Sequence, residues 1–244
     1  SQIDKKVEKK FNELIEKLII ENKINSNTSI MQHEENQTNE IKYIDLCSGI
    51  GGFRIALESI DNISSTCVLS ADIKQDAIDT YNLNFNENNK ITDIYTLKNE
   101  EIKPFDLLCA GFPCQPFSSA GQKKGFSDKR GGMIFKIIDI CKYHKPRFVV
   151  LENVYNLLTL DKGDCIKKIK NLFMDIGYNV NYNKLNSSNF GCAQSRERVY
   201  IVCTKNNTFN FDDIKYKPKV KLNSIIDYTN KETKINPSFC KKIL

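Results

Sequence analysis

Residues 43–53 read Tyr-Ile-Asp-Leu-Cys-Ser-Gly-Ile-Gly-Gly-Phe, an apolar run followed by a glycine-rich turn. The apolar run is of the kind that forms a buried strand, and a helical stretch follows over residues 53–60. Between them, glycines let the backbone approach a ligand closely, and the helix start offers unpaired N–H groups to an anion. The spacing differs from the glycine fingerprint of pyrophosphate sites. We therefore predict a strand, a ligand-binding turn and a helix, for a ligand with a carboxylate and no phosphate.

The alternation of strand and helix continues along the chain. Further apolar runs lie at residues 66–70, 105–110, 148–152 and 199–203. Helical stretches are predicted over residues 74–84, 133–143 and 164–176. One more strand is expected before Asp93. This order is typical of an α/β fold, with helices on both faces of a doubly wound, mostly parallel sheet.

Three segments are predicted from the change in composition along the chain. Residues 1–40 comprise a helix and a polar linker, residues 41–205 form the main domain, and residues 206–244 begin a connection to a further region. The helix is predicted from apolar residues at helical spacing: Val7, Phe11, Leu14, Ile15 and Leu18.

The composition favours a cytoplasmic protein. Its nine cysteines include no C-x-x-C pair, and an odd count without a signal peptide predicts reduced thiols. Only two histidines are present, His33 and His144, which argues against a structural zinc site, and no metal is predicted. No apolar stretch approaches the length of a membrane span. The formal net charge of +6 is compatible with a polyanionic partner without requiring one.

A second informative stretch, residues 111–116, reads Gly-Phe-Pro-Cys-Gln-Pro. It cannot be helical, because a residue before proline is pushed out of the α region and Pro116 lacks a backbone donor. The stretch follows the apolar run 105–110, so Cys114 is expected on a rigid loop at the carboxyl end of a strand. Open α/β sheets place their chemistry there, and Cys114 is a candidate nucleophile.

These stretches resemble the motifs of cytosine-5 DNA methyltransferases, and they follow that family's order between residues 41 and 204. Residues 111–121 resemble the active-site loop of the family. Residues 152–154, Glu-Asn-Val, and residues 194–198, Gln-Ser-Arg-Glu-Arg, resemble two further motifs. The resemblance implies a Rossmann-like, S-adenosylmethionine-dependent methyltransferase fold and a catalytic domain over residues 41–205.

The resemblance implies S-adenosylmethionine as the cofactor, a ligand that also suits the glycine turn. Asp72 would contact the ribose and Ile73 the adenine, while Asp93 would accept a hydrogen bond from the adenine amino group. Cys47 departs from the family, which usually has phenylalanine there, and this predicts somewhat weaker binding. The implied cofactor-binding residues are Cys47, Ser48, Gly49, Ile50, Gly51, Gly52, Asp72, Ile73, Asp93 and Ile94.

The resemblance also implies four catalytic residues. Cys114 would add as a thiolate to carbon 6 of cytosine, which makes carbon 5 able to attack a methyl group. Glu152 would contact ring N3 and the amino group, and its place at an apolar strand end favours a raised pKa and a proton-carrying role. Arg198 would contact the carbonyl oxygen, and Arg196 would orient the catalytic loop or a phosphate.

A basic segment bounded by glycines, residues 121–132, directly follows the active-site loop. In the family the corresponding loop closes over DNA once the target base has been flipped out. The expected partner is therefore DNA. The implied DNA-binding residues are Gln115, Ser118, Lys123, Lys124, Lys129 and Arg130.

Two parts of the family's usual pattern are not found in the sequence, the target-recognition segment and a final Gly-Asn-Ser motif. Three explanations stay open: the catalytic subunit of a heterodimer whose second protein subunit supplies both parts, a piece of a longer enzyme, or a non-catalytic DNA-binding or regulatory relative. Cys114, Glu152 and Arg198 argue against the third, and the N-terminal helix, as a docking element, favours the first. A tRNA cytosine-5 methyltransferase is a further alternative, although the Cys-Phe-Thr signature expected of it is not found.

Overall fold

The structure, a computed structural model, describes residues 40–61, 63–113 and 132–226 of the chain. The predicted N-terminal helix and almost all of the predicted linker lie outside these residues. The strands are β1 Glu40–Leu46, β2 Ser64–Ala71, β3 Leu107–Gly111, β4 Phe148–Val154, β5 Asn179–Asn186 and β6 Glu197–Thr204. The α-helices are α1 Gly52–Glu58, α2 Gln75–Phe85, α3 Met133–His144 and α4 Asp164–Met174. Short 3₁₀ helices span Ile94–Thr96, Asn99–Glu101, Tyr155–Leu158, Leu160–Gly163, Ser187–Asn189, Phe211–Asp213 and Leu222–Ser224.

The six strands form one sheet in the order β2-β1-β3-β4-β6-β5. β1 pairs in parallel with β2 and β3, and β3 pairs in parallel with β4. β6 runs antiparallel to both β4 and β5 and is the one strand of this sheet that opposes the others. The predicted mostly parallel sheet is confirmed.

Both faces of the sheet are covered, which confirms the doubly wound arrangement. On one face, α3 and α4 pack their apolar residues, Ile137 and Ile169 among them, against β1, β3, β4 and β6. On the other face, Leu57 of α1 joins Phe209 and Phe211, which follow β6. Because β3 and β4 are covered on both sides, residues 107–110 and 148–151 are at most 2 % exposed and read as continuous apolar runs.

The order of the strands reverses between β1 and β3. The chain passes from β1 out to β2 and then returns across β1 to β3. Such a reversal leaves a crevice at the carboxyl ends of the two central strands, where open α/β sheets bind their ligands. The glycine turn follows β1, and Phe112 and Pro113 follow β3, so both stretches predicted to be functional begin at this crevice.

Two details differ from the sequence prediction. Between β2 and β3 the described chain has no further strand, so the strand expected before Asp93 is wrong; Asp93 instead caps the 3₁₀ helix Ile94–Thr96, accepting a hydrogen bond from Tyr95 N–H at 3.0 Å. The strand β5 is not predicted from the sequence, because Asn-Val-Asn-Tyr-Asn-Lys-Leu-Asn contains no apolar run. An edge strand pairs on one side only and tolerates this polarity.

No helix in the described part of the chain is both long and apolar enough to cross a membrane. The predicted boundaries of the domain at residues 40 and 205 stay predictions.

Candidate active site

The turn between β1 and α1 is fixed by its own backbone and by β2. Cys47, Gly49 and Gly51 have positive φ angles of 55°, 54° and 91°. Ser48 N–H donates to Ala71 O at 3.1 Å, and Gly51 N–H donates to Ser48 O at 2.9 Å. Cys47 therefore lies just past β1, in a conformation that side-chain-bearing residues seldom adopt.

The three glycines of the turn have different surroundings. Among the described residues, a Cβ added at Gly49 or Gly52 would meet no heavy atom within 4 Å. A Cβ at Gly51 would lie 2.6 Å from Cζ of Phe85, whose ring already fills that place. Gly49 and Gly52 thus leave open space for a ligand, whereas Gly51 allows α2 to pack on the turn.

Asp72 follows β2 and borders the same turn. Its Oδ2 accepts a hydrogen bond from Gly49 N–H, and its Oδ1 accepts one from Lys74 N–H, each at 2.9 Å. Since each carboxylate oxygen can accept two hydrogen bonds, Asp72 is held in place and keeps acceptor capacity for a ligand. The neighbouring Ile73 is 59 % exposed and Ile50 is 50 % exposed, so two apolar side chains stand free beside the crevice.

The segment that carries Asp93 lies against the end of β2, because Thr92 N–H donates to Asp72 O at 2.9 Å. One carboxylate oxygen of Asp93 is engaged in its helix cap. The side chain of Ile94 is buried within the core. This burial leaves only the backbone of Ile94 available for the predicted cofactor contact, which stays a prediction.

Cys47 borders the crevice on the side of α3. Its Sγ lies 2.8 Å from Sδ of Met133, the first residue of that helix. Burial, followed by the charges of Asp72 and Asp45, raises the pKa of Cys47 to about 12. This thiol therefore stays protonated at neutral pH and acts as an apolar group in the turn.

On the other side of β3, Glu152 and Arg198 form an ion pair. β4 places Glu152 opposite Gly111 of β3 and opposite Tyr200 of β6. Arg198 Nε lies 2.7 Å from Glu152 Oε1, and the two side chains are only 20 % and 23 % exposed. Burial raises the pKa of Glu152, while the guanidinium groups of Arg198 and Arg196 oppose that rise. The site thus holds a carboxyl group of raised pKa in a fixed orientation.

Arg196 is exposed and lies just before β6. Its backbone N–H donates to Asn186 Oδ1 at 3.2 Å and to Ser187 Oγ at 3.1 Å. These bonds tie the segment before β6 to the end of β5. Arg196 is therefore placed near Glu152 by its backbone, with its side chain at the surface.

The predicted nucleophile follows directly after Pro113 in the sequence. Cys114 lies outside the described residues. The predicted DNA-binding residues lie outside them too: Gln115, Ser118, Lys123, Lys124, Lys129 and Arg130. The strand that leads to Cys114 does pair with the strand that carries Glu152, and this predicted adjacency is confirmed.

Comparison with known proteins assigns this arrangement to a family. The family model of the C-5 cytosine-specific DNA methylases matches residues 41–242. The chain belongs to this family. Members of the family use S-adenosylmethionine as the methyl donor.

Relatives in this family are longer than the chain. Type II methyltransferase M.HhaI of Haemophilus parahaemolyticus is 36 % identical over 197 residues, which cover 81 % of the chain and 59 % of that protein. Type II methyltransferase M.HpaII of Haemophilus parainfluenzae is 38 % identical over 215 residues, covering 84 % and 58 %. The S. pombe Dnmt2 methyltransferase structure superimposes with a TM-score of 0.57 at 25 % identity, covering 71 % and 53 %. The chain thus spans little more than half the length of these relatives.

Asn153 is a residue of the candidate site to which the sequence assigns no role. Its Nδ2 donates to Phe112 O at 3.0 Å in the core, and its Oδ1 accepts from Val154 N–H at 2.8 Å. The first bond joins β4 to the backbone two residues before Cys114. A signal was present in the sequence, because an amide within an apolar strand needs hydrogen-bond partners.

The thiols in the described residues do not suit a nucleophilic role. The described residues include seven thiols, and five of these are buried. Burial raises the pKa of Cys67 to about 11 and that of Cys109 well above its ordinary value. Nor does the described part contain three or more His, Cys, Asp or Glu residues grouped to hold a metal ion.

The glycine turn allows a paired test of packing against ligand binding. We expect Gly51→Ala to lower the free energy of unfolding by about 3 kcal/mol or more, since it combines a positive φ with overlap on Phe85. Gly52→Ala should leave that free energy within about 1 kcal/mol of wild type and weaken S-adenosylmethionine binding instead. Urea unfolding and calorimetric titration measure the two effects. Equal stability of the two variants would contradict this division of roles.

Asp45 of β1 is a buried acid. It is fully buried, and neither carboxylate oxygen has a hydrogen-bond partner among the described residues. Burial and then the charge of Asp72 raise the pKa of Asp45 from 3.8 to about 8, against the opposing effect of Arg54. The folded protein therefore retains a proton that the unfolded chain releases between these two pH values.

This proton makes the stability of the folded chain depend on pH. The contribution of Asp45 is full below the ordinary pKa of 3.8 and is lost as the pH rises towards about 8. Asp45→Asn mimics the protonated acid, so we expect it to raise the free energy of unfolding at pH 8 by roughly 2–4 kcal/mol relative to wild type and by little at pH 4. Asp61→Asn, at the surface, is the control. Parallel pH profiles for wild type and Asp45→Asn, measured by urea unfolding, would contradict the assignment.

Proposed function

We propose that this chain is the catalytic part of an S-adenosylmethionine-dependent DNA (cytosine-5) methyltransferase that works through a covalent cysteine adduct. The observation that carries the proposal is the Glu152–Arg198 ion pair at 2.7 Å. It lies at the carboxyl end of β4, beside the strand that continues into Pro113 and Cys114. A carboxyl group of raised pKa next to a nucleophile-bearing loop suits covalent attack on a pyrimidine ring.

The residues of the chain divide the chemistry between them. The Cys114 thiolate forms a bond to carbon 6, and the displaced electron pair of the ring becomes available at carbon 5. Glu152 holds a proton at ring N3, where negative charge develops, and Arg198 contacts the carbonyl oxygen. S-adenosylmethionine, when bound, supplies an electrophilic methyl group. Loss of the carbon 5 proton and expulsion of the Cys114 thiolate then restore the aromatic ring.

The cofactor is proposed to occupy the crevice between β1 and β3. The open space at Gly49 and Gly52 fits the close approach of a ligand. Asp72, held by two backbone N–H groups, has acceptor capacity for the ribose hydroxyls, and the exposed Ile73 offers an apolar surface to the adenine. The second carboxylate oxygen of Asp93 is proposed to accept a hydrogen bond from the adenine amino group.

DNA is proposed as the substrate, with the target base flipped out of the helix because a stacked base cannot reach a nucleophile. Gln115, Ser118 and four basic residues provide the proposed contacts. Three of the basic residues are Lys123, Lys124 and Lys129, and the fourth is Arg130. Arg196 is proposed to contact a phosphate or to orient the catalytic loop.

Target recognition is proposed to come from a second protein subunit. The chain covers 59 % of M.HhaI and 58 % of M.HpaII, so these relatives contain further residues that a second subunit would have to supply. The sequence between residues 41 and 204 carries the chemistry, and no target-recognition segment or Gly-Asn-Ser motif is found in it. A longer single chain would supply the same parts.

The test is transfer of labelled methyl groups from S-adenosylmethionine to unmethylated mixed genomic DNA, with tRNA assayed in parallel. Label recovered as 5-methylcytosine in DNA supports the proposal, and label in tRNA alone would replace DNA by tRNA as the substrate. A folded chain that binds the cofactor and labels neither would support the need for a second subunit. Failure to bind S-adenosylmethionine would contradict the proposal.

A further inference from the structure

The last residue of β3 has no side chain at the place where the proposed cofactor site meets the proposed base site. Gly111 pairs with Glu152 of β4, and the preceding Ala110 pairs with Leu46 at the end of β1. A Cβ added at Gly111 would lie 3.7 Å from Cys47 O and 3.9 Å from Glu152 Oε2. The first atom belongs to the turn proposed to bind the cofactor, and the second to the residue proposed to bind the base.

Neither the backbone nor the packing of the described residues explains a glycine at this position. Gly111 is not among the residues with positive φ, so an L-residue can adopt its conformation. Separations of 3.7 and 3.9 Å are ordinary van der Waals contacts, so the methyl group of an alanine would fit without moving either neighbour. The missing side chain therefore leaves a gap, one methyl group wide, between the proposed cofactor site and the proposed base site.

We propose that the gap at Gly111 is the passage between cofactor and base, and that the transferable methyl group of the bound cofactor lies over the Cα of Gly111. This inference rests on the proposed function. Methyl transfer requires carbon 5 and the methyl carbon to approach within about 3–3.5 Å, and the glycine turn and Glu152 flank β3 from opposite sides. A glycine leaves the space between the methyl carbon and carbon 5 open, whereas a Cβ would occupy it.

Gly111 is a positioning residue in this arrangement and takes no part in the bonds that change. Carbon 5 supplies the electron pair of the new carbon–carbon bond, the sulfur–methyl bond breaks, and its electron pair returns to sulfur. S-adenosylmethionine and S-adenosylhomocysteine differ in that methyl group and in the positive charge that it gives the sulfur. A side chain at Gly111 would collide with S-adenosylmethionine and leave S-adenosylhomocysteine almost unaffected.

The experiment compares the dissociation constants of these two ligands by calorimetric titration of the full chain, wild type and Gly111→Ala. The affinity for S-adenosylmethionine should fall at least about tenfold more than the affinity for S-adenosylhomocysteine, because overpacking by one methyl group is costly. Gly111→Val should enlarge the difference. Thermal unfolding of both variants should stay near wild type, since replacing glycine in a compatible conformation reduces the entropy of the unfolded chain.

Gly52→Ala is the matched control, because it adds the same methyl group to the cofactor turn away from the passage. It should weaken both ligands by the same factor. An unchanged ratio of the two dissociation constants in Gly111→Ala would overturn the passage and leave the proposed function intact. An unfolded Gly111→Ala would do the same, because it would show that packing requires the glycine. A wild-type chain that binds neither ligand would overturn the proposed function and the passage together.

Discussion

Replacing Cys114 with alanine should reduce methyl transfer by at least about 10³-fold and leave the affinity for S-adenosylmethionine unchanged. Without a thiolate to add at carbon 6, the aromatic ring keeps its electrons and carbon 5 stays a poor nucleophile. The cofactor is proposed to bind on the other side of β3, in contact with the glycine turn and Asp72. Removal of this thiol should therefore separate chemistry from cofactor binding.

DNA that contains 5-fluorocytosine provides the sharpest measurement of this effect. The fluorine replaces the proton that must leave carbon 5, so a working nucleophile stays bound to the base, and the covalent complex survives denaturing electrophoresis. Wild type should form this complex, and Cys114→Ala should not. If the chain alone does not transfer methyl groups, the recognition subunit is added to both proteins.

Cys109→Ala is the matched control for loss of a thiol. Cys109 lies in β3 itself, fully buried, where burial and then the charge of Asp45 raise its pKa well above the ordinary value. A thiol that stays protonated cannot attack, so transfer per folded molecule should be preserved. A covalent complex formed by Cys114→Ala, or lost only in Cys109→Ala, would remove Cys114 from the proposed mechanism.

Much of the fold could be predicted because buried parallel strands have a strong sequence signal. The runs that become β3 and β4 are covered on both faces, so nearly every residue in them is apolar. β5 has no such signal, since it pairs only with β6 and its sequence is dominated by asparagine. The irregular segment before Asp93 has backbone contacts with β2 but no strand pairing, which local sequence patterns do not reveal.

The candidate site was predictable where a residue's position on a strand decides its place. Glu152 ends an apolar run and therefore reaches the carboxyl edge of the sheet, next to the strand that precedes Cys114. The bond from Asn153 to Phe112 joins residues 41 positions apart and depends on the register of β3 and β4. Likewise, the contrast between Gly51, filled by Phe85, and Gly52, open to a ligand, depends on how α2 packs on the turn. Such contacts follow from the three-dimensional arrangement and not from local patterns.

Replacing Glu152 with glutamine should lower the rate of methyl transfer by roughly 10²-fold, with little change in the affinity for S-adenosylmethionine. Glutamine keeps the size of the side chain and can still donate a hydrogen bond to ring N3. It cannot hold and release the proton that a carboxyl group of raised pKa carries, and it cannot form the ion pair with Arg198. The loss should therefore appear in the chemical step.

The pH dependence of the rate should report on the proton that the Glu152 carboxyl group carries. Burial raises the pKa of Glu152, so its protonated form persists to higher pH than in an ordinary glutamate. The protonated form is the active one in this mechanism, so the wild-type rate should fall as the pH rises through the raised pKa. Single-turnover rates of Glu152→Gln should lack this fall.

Glu197→Gln is the matched control, because Glu197 is also an acid in an ion pair close to the site. Its Oε1 lies 2.8 Å from Lys184 Nζ, but the side chains of Glu197 and Lys184 are 39 % and 40 % exposed. A surface pair of this kind contributes little to stability, and Glu197 is not proposed to contact the base. Glu197→Gln should keep both the wild-type rate and its pH profile. If the two variants lost activity equally, the effect would belong to the general charge of the region, and Glu152 would lose its proposed role at ring N3.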